Sequence, residues 1–244
     1  MKASVSTLSH VKARAKAIKE REWFRPSWLS LFINSAHFVV VSRYKALLDH
    51  RHHIKGHTLD FGCGAKPYKD IFTTTQYVGL DIQMNPGHDH SQEQIDVFYD
   101  GKTIPFPDAT FDSVFSSDVF EHVFELDGIL DEIHRVMKPG AKILITVPFI
   151  YPEHEVPFDF GRYTQYGLKA LFERHGFQVV TQKKLGTSVE VLHQLANYYI
   201  HNSMPRVIKL LGVPCVNISG WLLSKIFPTI DTLYLGHVVV AARS

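Results

Sequence analysis

Residues 58–81 limit what this chain can fold into more than any other stretch. They read Thr58-Leu59-Asp60-Phe61-Gly62-Cys63-Gly64-Ala65-Lys66-Pro67-Tyr68 and then, after a gap, Tyr77-Val78-Gly79-Leu80-Asp81. A short apolar strand runs into an acidic residue and a glycine-rich turn, and a second strand ends on another carboxylate about 20 residues later, the spacing of one βαβ unit that holds a nucleoside. The pattern predicts an α/β sheet and an adenosine-containing cofactor.

A dinucleotide turn uses three glycines, whereas here Gly62 and Gly64 are followed by Pro67 in the third place. Asp60 at the lip of the first strand would repel a pyrophosphate but could attract a cation or accept from an amino group. S-adenosylmethionine has no phosphate and carries a sulfonium and an ammonium. At these residues the chain resembles the class I S-adenosylmethionine-dependent methyltransferases, in particular a small methyltransferase-11-like branch that reads Leu-Asp-x-Gly-Cys-Gly followed by an acid after the second strand. The resemblance continues through Ile104-Pro105-Phe106-Pro107-Asp108-Ala109-Thr110-Phe111-Asp112, Glu121-His122 and Arg135-Val136-Met137-Lys138-Pro139-Gly140. It covers about residues 55–183 well and the flanks poorly.

That resemblance implies a Rossmann-like methyltransferase fold: a mostly parallel seven-stranded sheet in the order 3-2-1-4-5-7-6, helices on both faces, and a helical insertion before an antiparallel last strand. Strands are expected at 58–61, 77–81, 94–97, 112–116, 141–147, 177–182 and 237–241, the last from the resemblance alone. Helices are expected over 11–23, 35–48, 126–136 and 165–175, with Lys138-Pro139-Gly140 stopping the third and Thr164 capping the fourth. Residues 1–50 read as a basic and aromatic helical lead-in, and 51–244 as the methyltransferase domain with an apolar insertion over 187–235. That insertion must cover something: a lid over substrate, a dimer partner or a membrane surface.

Within the resemblance, Gly62, Cys63 and Gly64 would pass beneath the methionine and ribose of S-adenosyl-L-methionine, and Asp60 would face its ammonium or a water beside it. Asp81, with Ile82 beside it, is placed to accept both ribose hydroxyls, because an ionised carboxylate offers about four lone-pair sites. Asp96 matches the acceptor of the adenine amino group, with Asp100 close enough to leave the register open; Ser117 and Asp118 would border the methionine end. Aspartates at strand ends often cap helices instead, so Asp96 and Asp118 also admit a structural reading.

Methyl transfer is an in-line displacement for which the protein mainly supplies alignment, and a hydroxyl acceptor gains from a general base. Two histidines qualify, His122 and His154. The loop from His154 to Tyr163 looks like that of methyltransferases found among glycan and cell-envelope biosynthesis enzymes, which makes His154 the preferred base and Asp159, Arg162 and Tyr163 polar contacts to substrate; Arg162 could equally pair with Asp159 or Glu155 and fix the loop. The run Asp118-Val119-Phe120-Glu121-His122 resembles the metal-binding carboxylates of the quinone O-methyltransferases, with Asp118 where that group has glutamate. One helical turn of acids without a partner loop is thin support for magnesium, and no metal is expected.

Composition narrows the partners. A formal charge of +2 over 244 residues supplies no broad basic stripe for a nucleic acid. Cys63 and Cys215 make no disulfide framework, which fits a reducing cytoplasm. No apolar run reaches the about 18 residues of a membrane span, and Lys12, Arg14, Lys16 and Lys19 break any secretory signal. Beside them, Trp23, Phe24, Trp28 and Phe32 could rest on an anionic membrane or cap the sheet. The reading is thus O-methylation of a small-molecule, glycan or lipid-linked acceptor, with the oligomeric state open. The alternatives are a non-catalytic protein that keeps the cofactor fold for interaction and an NAD-dependent oxidoreductase.

Overall fold

The computed structural model describes residues 2–82 and 94–244, with side chains from residue 13 onward. Seven strands form one sheet: β1 Lys55–Phe61, β2 Thr73–Ile82, β3 Val97–Tyr99, β4 Phe111–Ser117, β5 Met137–Pro148, β6 Phe177–Leu185 and β7 Gly236–Arg243. Their order is β3-β2-β1-β4-β5-β7-β6. The first five run parallel, and β7 lies antiparallel between β5 and β6. This is the Rossmann-like methyltransferase sheet, with the reversed last strand in the expected place.

Sequence explains the central elements directly. Along β5, Ile143, Leu144, Ile145 and Val147 are all buried, as in a strand covered on both faces. The helix α4, Leu126–Val136, buries Leu126, Ile129, Leu130, Ile133 and Val136, which fall on one face at a 3.6-residue period. Thr164 caps α5, Gln165–Arg174, by accepting the Gly167 N–H, and satisfies one of the helix's orphan donors. The Ile104–Asp112 and Arg135–Gly140 motifs meet through one side chain. Arg135 donates to both oxygens of Glu132, to the carbonyls of Ile104 and Phe106, and to Asp108, all at 2.8–2.9 Å.

Among the boundaries that differ from expectation, two move a motif or a site residue. Lys138-Pro139-Gly140 was expected to turn the chain after α4, but the helix stops at Val136 and β5 begins at Met137, which pairs with Phe111. The third strand lies later than 94–97, pairing Val97–Tyr99 with Leu80–Ile82, so Asp96 precedes it and Asp100 follows it. A strand of three residues is too short to show alternation, which is why pattern alone misplaces it.

The chain divides into two compact units, residues 45–185 with 235–244, and residues 1–44 with 186–234. The second unit joins α1 Lys2–Phe24, α2 Ser30–Ile33 and most of α3 His37–His50 to α6 Ser188–Ser203 and α7 Arg206–Leu223. Thus the lead-in and the insertion, far apart in sequence, share one unit. Buried amides tie them: Asn217 donates to the carbonyls of Leu31 and Asn34, Asn197 donates to Asn217, and Gln194 donates to the carbonyl of Ser35. On the same unit Leu192, Tyr199, Val207, Leu210, Leu211 and Ile226 stand exposed. Among the described residues α7 is long and apolar enough to cross a membrane by length and composition. That corrects the expectation of no such segment, since Lys209 and Asn217 interrupt the apolar run without disqualifying the helix.

Candidate active site

The carboxyl ends of β1, β2, β4 and β5 bring most of the expected residues together. Between β1 and β2 the turn is tied to the neighbouring strand, because the N–H groups of Gly62 and Cys63 both donate to the carbonyl of Leu80. Gly62 has φ +71°, and a Cβ there would lie 2.4–2.5 Å from the methyls of Val119. At Gly64, φ +47°, a Cβ would meet nothing within 4 Å, so the missing side chain leaves open space at the mouth of the turn. The Cys63 thiol is buried, and burial pushes its pKa up, so it stays protonated beside the Gly64 carbonyl.

Asp81 closes β2 facing that turn. Its Oδ2 accepts the Gly64 N–H at 2.8 Å and its Oδ1 accepts the Ile82 N–H at 2.8 Å, which fixes the carboxylate. Ile82 is 40% exposed, an apolar surface beside the acid.

Asp60 is the penultimate residue of β1. It is buried and accepts the Tyr77 hydroxyl at 2.7 Å, and burial raises its pKa to about 7 against the lowering effect of that hydrogen bond. A proton is therefore held more tightly in the folded than in the unfolded chain. The associated stability is fully present below the unfolded value of 3.8 and is lost as pH rises through about 7. Asp60→Asn keeps an acceptor for Tyr77 and cannot ionise, so the variant should gain stability relative to wild type as pH climbs from about 4 to about 7. Thermal unfolding of both proteins across that range checks this; parallel profiles would refute it.

Asp96 lies ahead of β3, where it accepts the Gly79 N–H at 2.7 Å and pairs with the ammonium of Lys66. Lys66 stands at φ 51° in the turn, and its stem crosses β2 so closely that a Cβ on Gly79 would lie 2.1 Å from its Cε. Sequence reasoning missed this lysine; the glycine at the centre of β2 was its available signal. Asp100, the other register, accepts the N–H groups of Lys102 and Thr103 and closes a turn.

After β4, Ser117 and Asp118 both meet Thr146 of β5, through Oγ to Oγ1 at 2.8 Å and Oγ1 to Oδ1 at 2.9 Å. Asp118 adopts φ 52°, an uncommon conformation for a residue with a Cβ and one that concentrates at functional sites. The next turn, Phe120–His122, carries Glu121 and His122 to the loop after β5. There His122 Nε2 and His154 Nε2 lie 3.1 Å apart, His122 Nδ1 donates to the Phe158 carbonyl at 2.8 Å, and the Glu121 backbone carbonyl accepts from Phe160 and Gly161. Burial works against a charged His154, but Glu121 and Asp159 outweigh it and raise its pKa. Burial raises that of Glu121, which the sequence offered only as a member of the Asp118–His122 run.

Arg162 is engaged within the loop. It grips Asp159 with two nitrogens, reaches the carbonyls of Gly161 and Pro152, and holds the Asp159 carboxyl down to about 2. Asp159 also accepts the His154 N–H at 3.0 Å. Both residues fix the loop that presents His154, the second of the readings set out for them. Tyr163 is half-buried beside Gly161, and its carbonyl lies 3.1 Å from His237 Nε2.

A sheet in this order, with a two-glycine turn facing the acid that ends β2, is the arrangement of the class I S-adenosylmethionine-dependent methyltransferase fold. Residues 59–145 match the family model described as a methyltransferase domain. The chain is 34% identical over 137 residues to the sterol 24-C-methyltransferase of Eremothecium gossypii, covering 50% of this chain and 37% of that protein. The corresponding Schizosaccharomyces pombe enzyme is 32% identical over 142 residues, 52% of this chain and 38% of that one. The match thus spans less than half the length of these curated relatives. Among solved structures, Haemonchus contortus phosphoethanolamine N-methyltransferase 2 in complex with S-adenosyl-L-methionine has TM-score 0.53 at 20% identity, covering 92% of this chain and 59% of that one. The cyclase SpnF has TM-score 0.52 at 18% identity, covering 84% and 81%. At these identities the likeness is one of fold.

Proposed function

We propose that this chain transfers the methyl group of S-adenosylmethionine to a hydroxyl oxygen on a small or lipid-linked acceptor. One observation carries the reading: Val119 packs on the Gly62 turn, and two residues later Glu121 and His122 meet His154, so a cofactor cradle and a proton acceptor adjoin at one end of the sheet. In this reading Asp81 takes the ribose hydroxyls, Ile82 lies along the adenine, and Gly62, Cys63 and Gly64 run beneath the ribose and methionine. Asp60 answers the ammonium, with Ser117 and Asp118 beside it. Asp96 can receive the adenine amino group only if Lys66 shares it.

The chemistry is a displacement in line. A lone pair of the acceptor oxygen forms the new bond to the methyl carbon as the carbon–sulfur bond breaks, and the sulfonium leaves as neutral S-adenosylhomocysteine. His154 Nε2 takes the hydroxyl proton, with His122 behind it, while Asp159 and Arg162 hold the loop and Tyr163 lines it. The sterol acceptors named for the curated relatives favour an apolar or lipid acceptor, and the exposed apolar side chains of the helical unit fit a protein that works beside lipid.

A methyl-transfer screen over glycans, quinones, sterols and lipid-linked sugars, each offered in solution and in vesicles, tests this. The expected result is an O-methyl product, favoured in vesicles. A carbon-methylated product overturns the oxygen assignment. Cofactor binding without turnover of any acceptor would leave the non-catalytic alternative standing.

A further inference from the structure

We infer that Glu121, His122 and His154 form a binding site for one divalent transition-metal ion of the zinc or cobalt kind. Their donor atoms all lie within 4.8 Å of one another. Glu121 is fully buried, and neither carboxylate oxygen has a hydrogen-bond partner. Its Oε1 lies 3.7 Å from His154 Nε2 and 3.8 Å from His122 Nε2. A carboxylate taken out of water without a partner is strongly disfavoured, so such a group marks either a proton or a missing cation.

The two imidazoles favour the cation. A carbonyl oxygen can only accept, so the contact of His122 Nδ1 with the Phe158 carbonyl puts the ring proton on Nδ1 and leaves the Nε2 lone pair facing inward. His154 Nδ1 lies 3.3 Å from Asp159 Oδ2 and 3.4 Å from a nitrogen of Arg162, and meeting the carboxylate orients that ring the same way. Imidazoles whose outer nitrogen is held by a carbonyl or a carboxylate are the usual arrangement around a bound metal. With its ring proton on Nδ1, facing Asp159, His154 presents an Nε2 lone pair 3.1 Å from that of His122, and the two then need something positive between them. A single proton can join the rings but cannot also reach Glu121. A metal can: tetrahedral bonds of about 2.0–2.2 Å place neighbouring donors roughly 3.3–3.6 Å apart, and the spacings here are 3.1, 3.7 and 3.8 Å.

Two nitrogens and one oxygen suit zinc, cobalt, iron or manganese better than magnesium, which prefers an all-oxygen shell. The set also differs from the acid-x-x-Glu-His pattern of the sequence. Asp118 is bonded to Thr146, and the third donor comes from the loop after β5. The inference rests on the proposed function for its purpose: with the metal bound, His154 Nε2 is a ligand and no longer the base, and the cation would instead polarise the acceptor hydroxyl and help it lose its proton to solvent. It does not rest on that reading for the binding itself.

The test uses the full chain stripped of metal. Cobalt(II) titration should give visible absorption bands that saturate at one ion per chain, zinc should displace it, and zinc should raise the thermal unfolding midpoint. Glu121→Gln and His154→Gln, each checked for folding by circular dichroism, should weaken cobalt binding about tenfold or more and lose the zinc-induced shift. Binding of S-adenosylhomocysteine without metal should be unchanged in both variants. Absence of cobalt bands and of a zinc shift in the wild-type protein overturns the inference, whatever the variants do, as does a response to magnesium alone. If the protein binds S-adenosylhomocysteine yet ignores zinc and cobalt, only the metal site fails; if it binds the metals and not the cofactor product, the proposed function fails instead.

Discussion

Asp81→Ala is expected to weaken S-adenosylhomocysteine binding by two to four orders of magnitude while leaving the sheet folded. The side chain is pinned by the N–H groups of Gly64 and Ile82, so both oxygens are oriented before any ligand arrives. Each keeps lone-pair capacity for a ribose hydroxyl. Hydrogen bonds to a charged group contribute roughly 1.5–3 kcal/mol each, so losing two removes about 3–6 kcal/mol, or about 10²–10⁴ in affinity. Alanine also unlatches the Gly64 N–H, which loosens the turn. Asp81→Asn separates these effects: it retains one acceptor and the shape, and should fall between wild type and alanine. Calorimetric titration with S-adenosylhomocysteine, with NAD as the control ligand, measures all three. Binding by the alanine variant within about threefold of wild type would remove Asp81 from the site, and binding of NAD in preference would restore the dinucleotide reading.

What sequence could show here, and what it could not, follows from how far apart the interacting groups lie. The turn at Gly62 and Gly64 and the acid at Asp81 were legible because backbone approach and strand-end placement are local requirements, written within one βαβ unit. The α4 face and the β5 core were legible for the same reason, since period alone marks them. The partners of Asp60, Asp96 and Glu121 were not. Tyr77 reaches Asp60 because β1 and β2 pair in the register Asp60 with Gly79, and Lys66 reaches Asp96 across Gly79. Register depends on the length and shape of the connection, and a sequence pattern does not carry it. Glu121 read as one member of a motif; its burial, and the meeting with His154 from the loop after β5, appear only once β4 and β5 lie side by side. In the helical unit, Asn197 and Asn217 look like surface residues in sequence, yet both are fully buried and bonded to each other.

Gly62→Ala should cost roughly 2–5 kcal/mol of stability, and the cost should divide into two parts that a double-mutant cycle can separate. The left-handed conformation at φ +71° accounts for about 1–2 kcal/mol in any residue with a Cβ. Contact of that Cβ with the two Val119 methyls, at 2.4 and 2.5 Å, adds the overpacking penalty of about 1–3 kcal/mol. Val119→Ala removes both methyls and should recover the second part in the Gly62→Ala background, while the backbone part remains. The coupling energy from urea unfolding of the four proteins is therefore expected at about 1–3 kcal/mol, in the range of residues in direct contact. Additive effects would show that the turn and the β4 connection do not press on one another. The same contact explains why cofactor affinity should fall with stability in the single variant: Val119 leads directly into Phe120–His122, so a methyl at Gly62 displaces the segment that carries Glu121 and His122 as well as the turn beneath the cofactor.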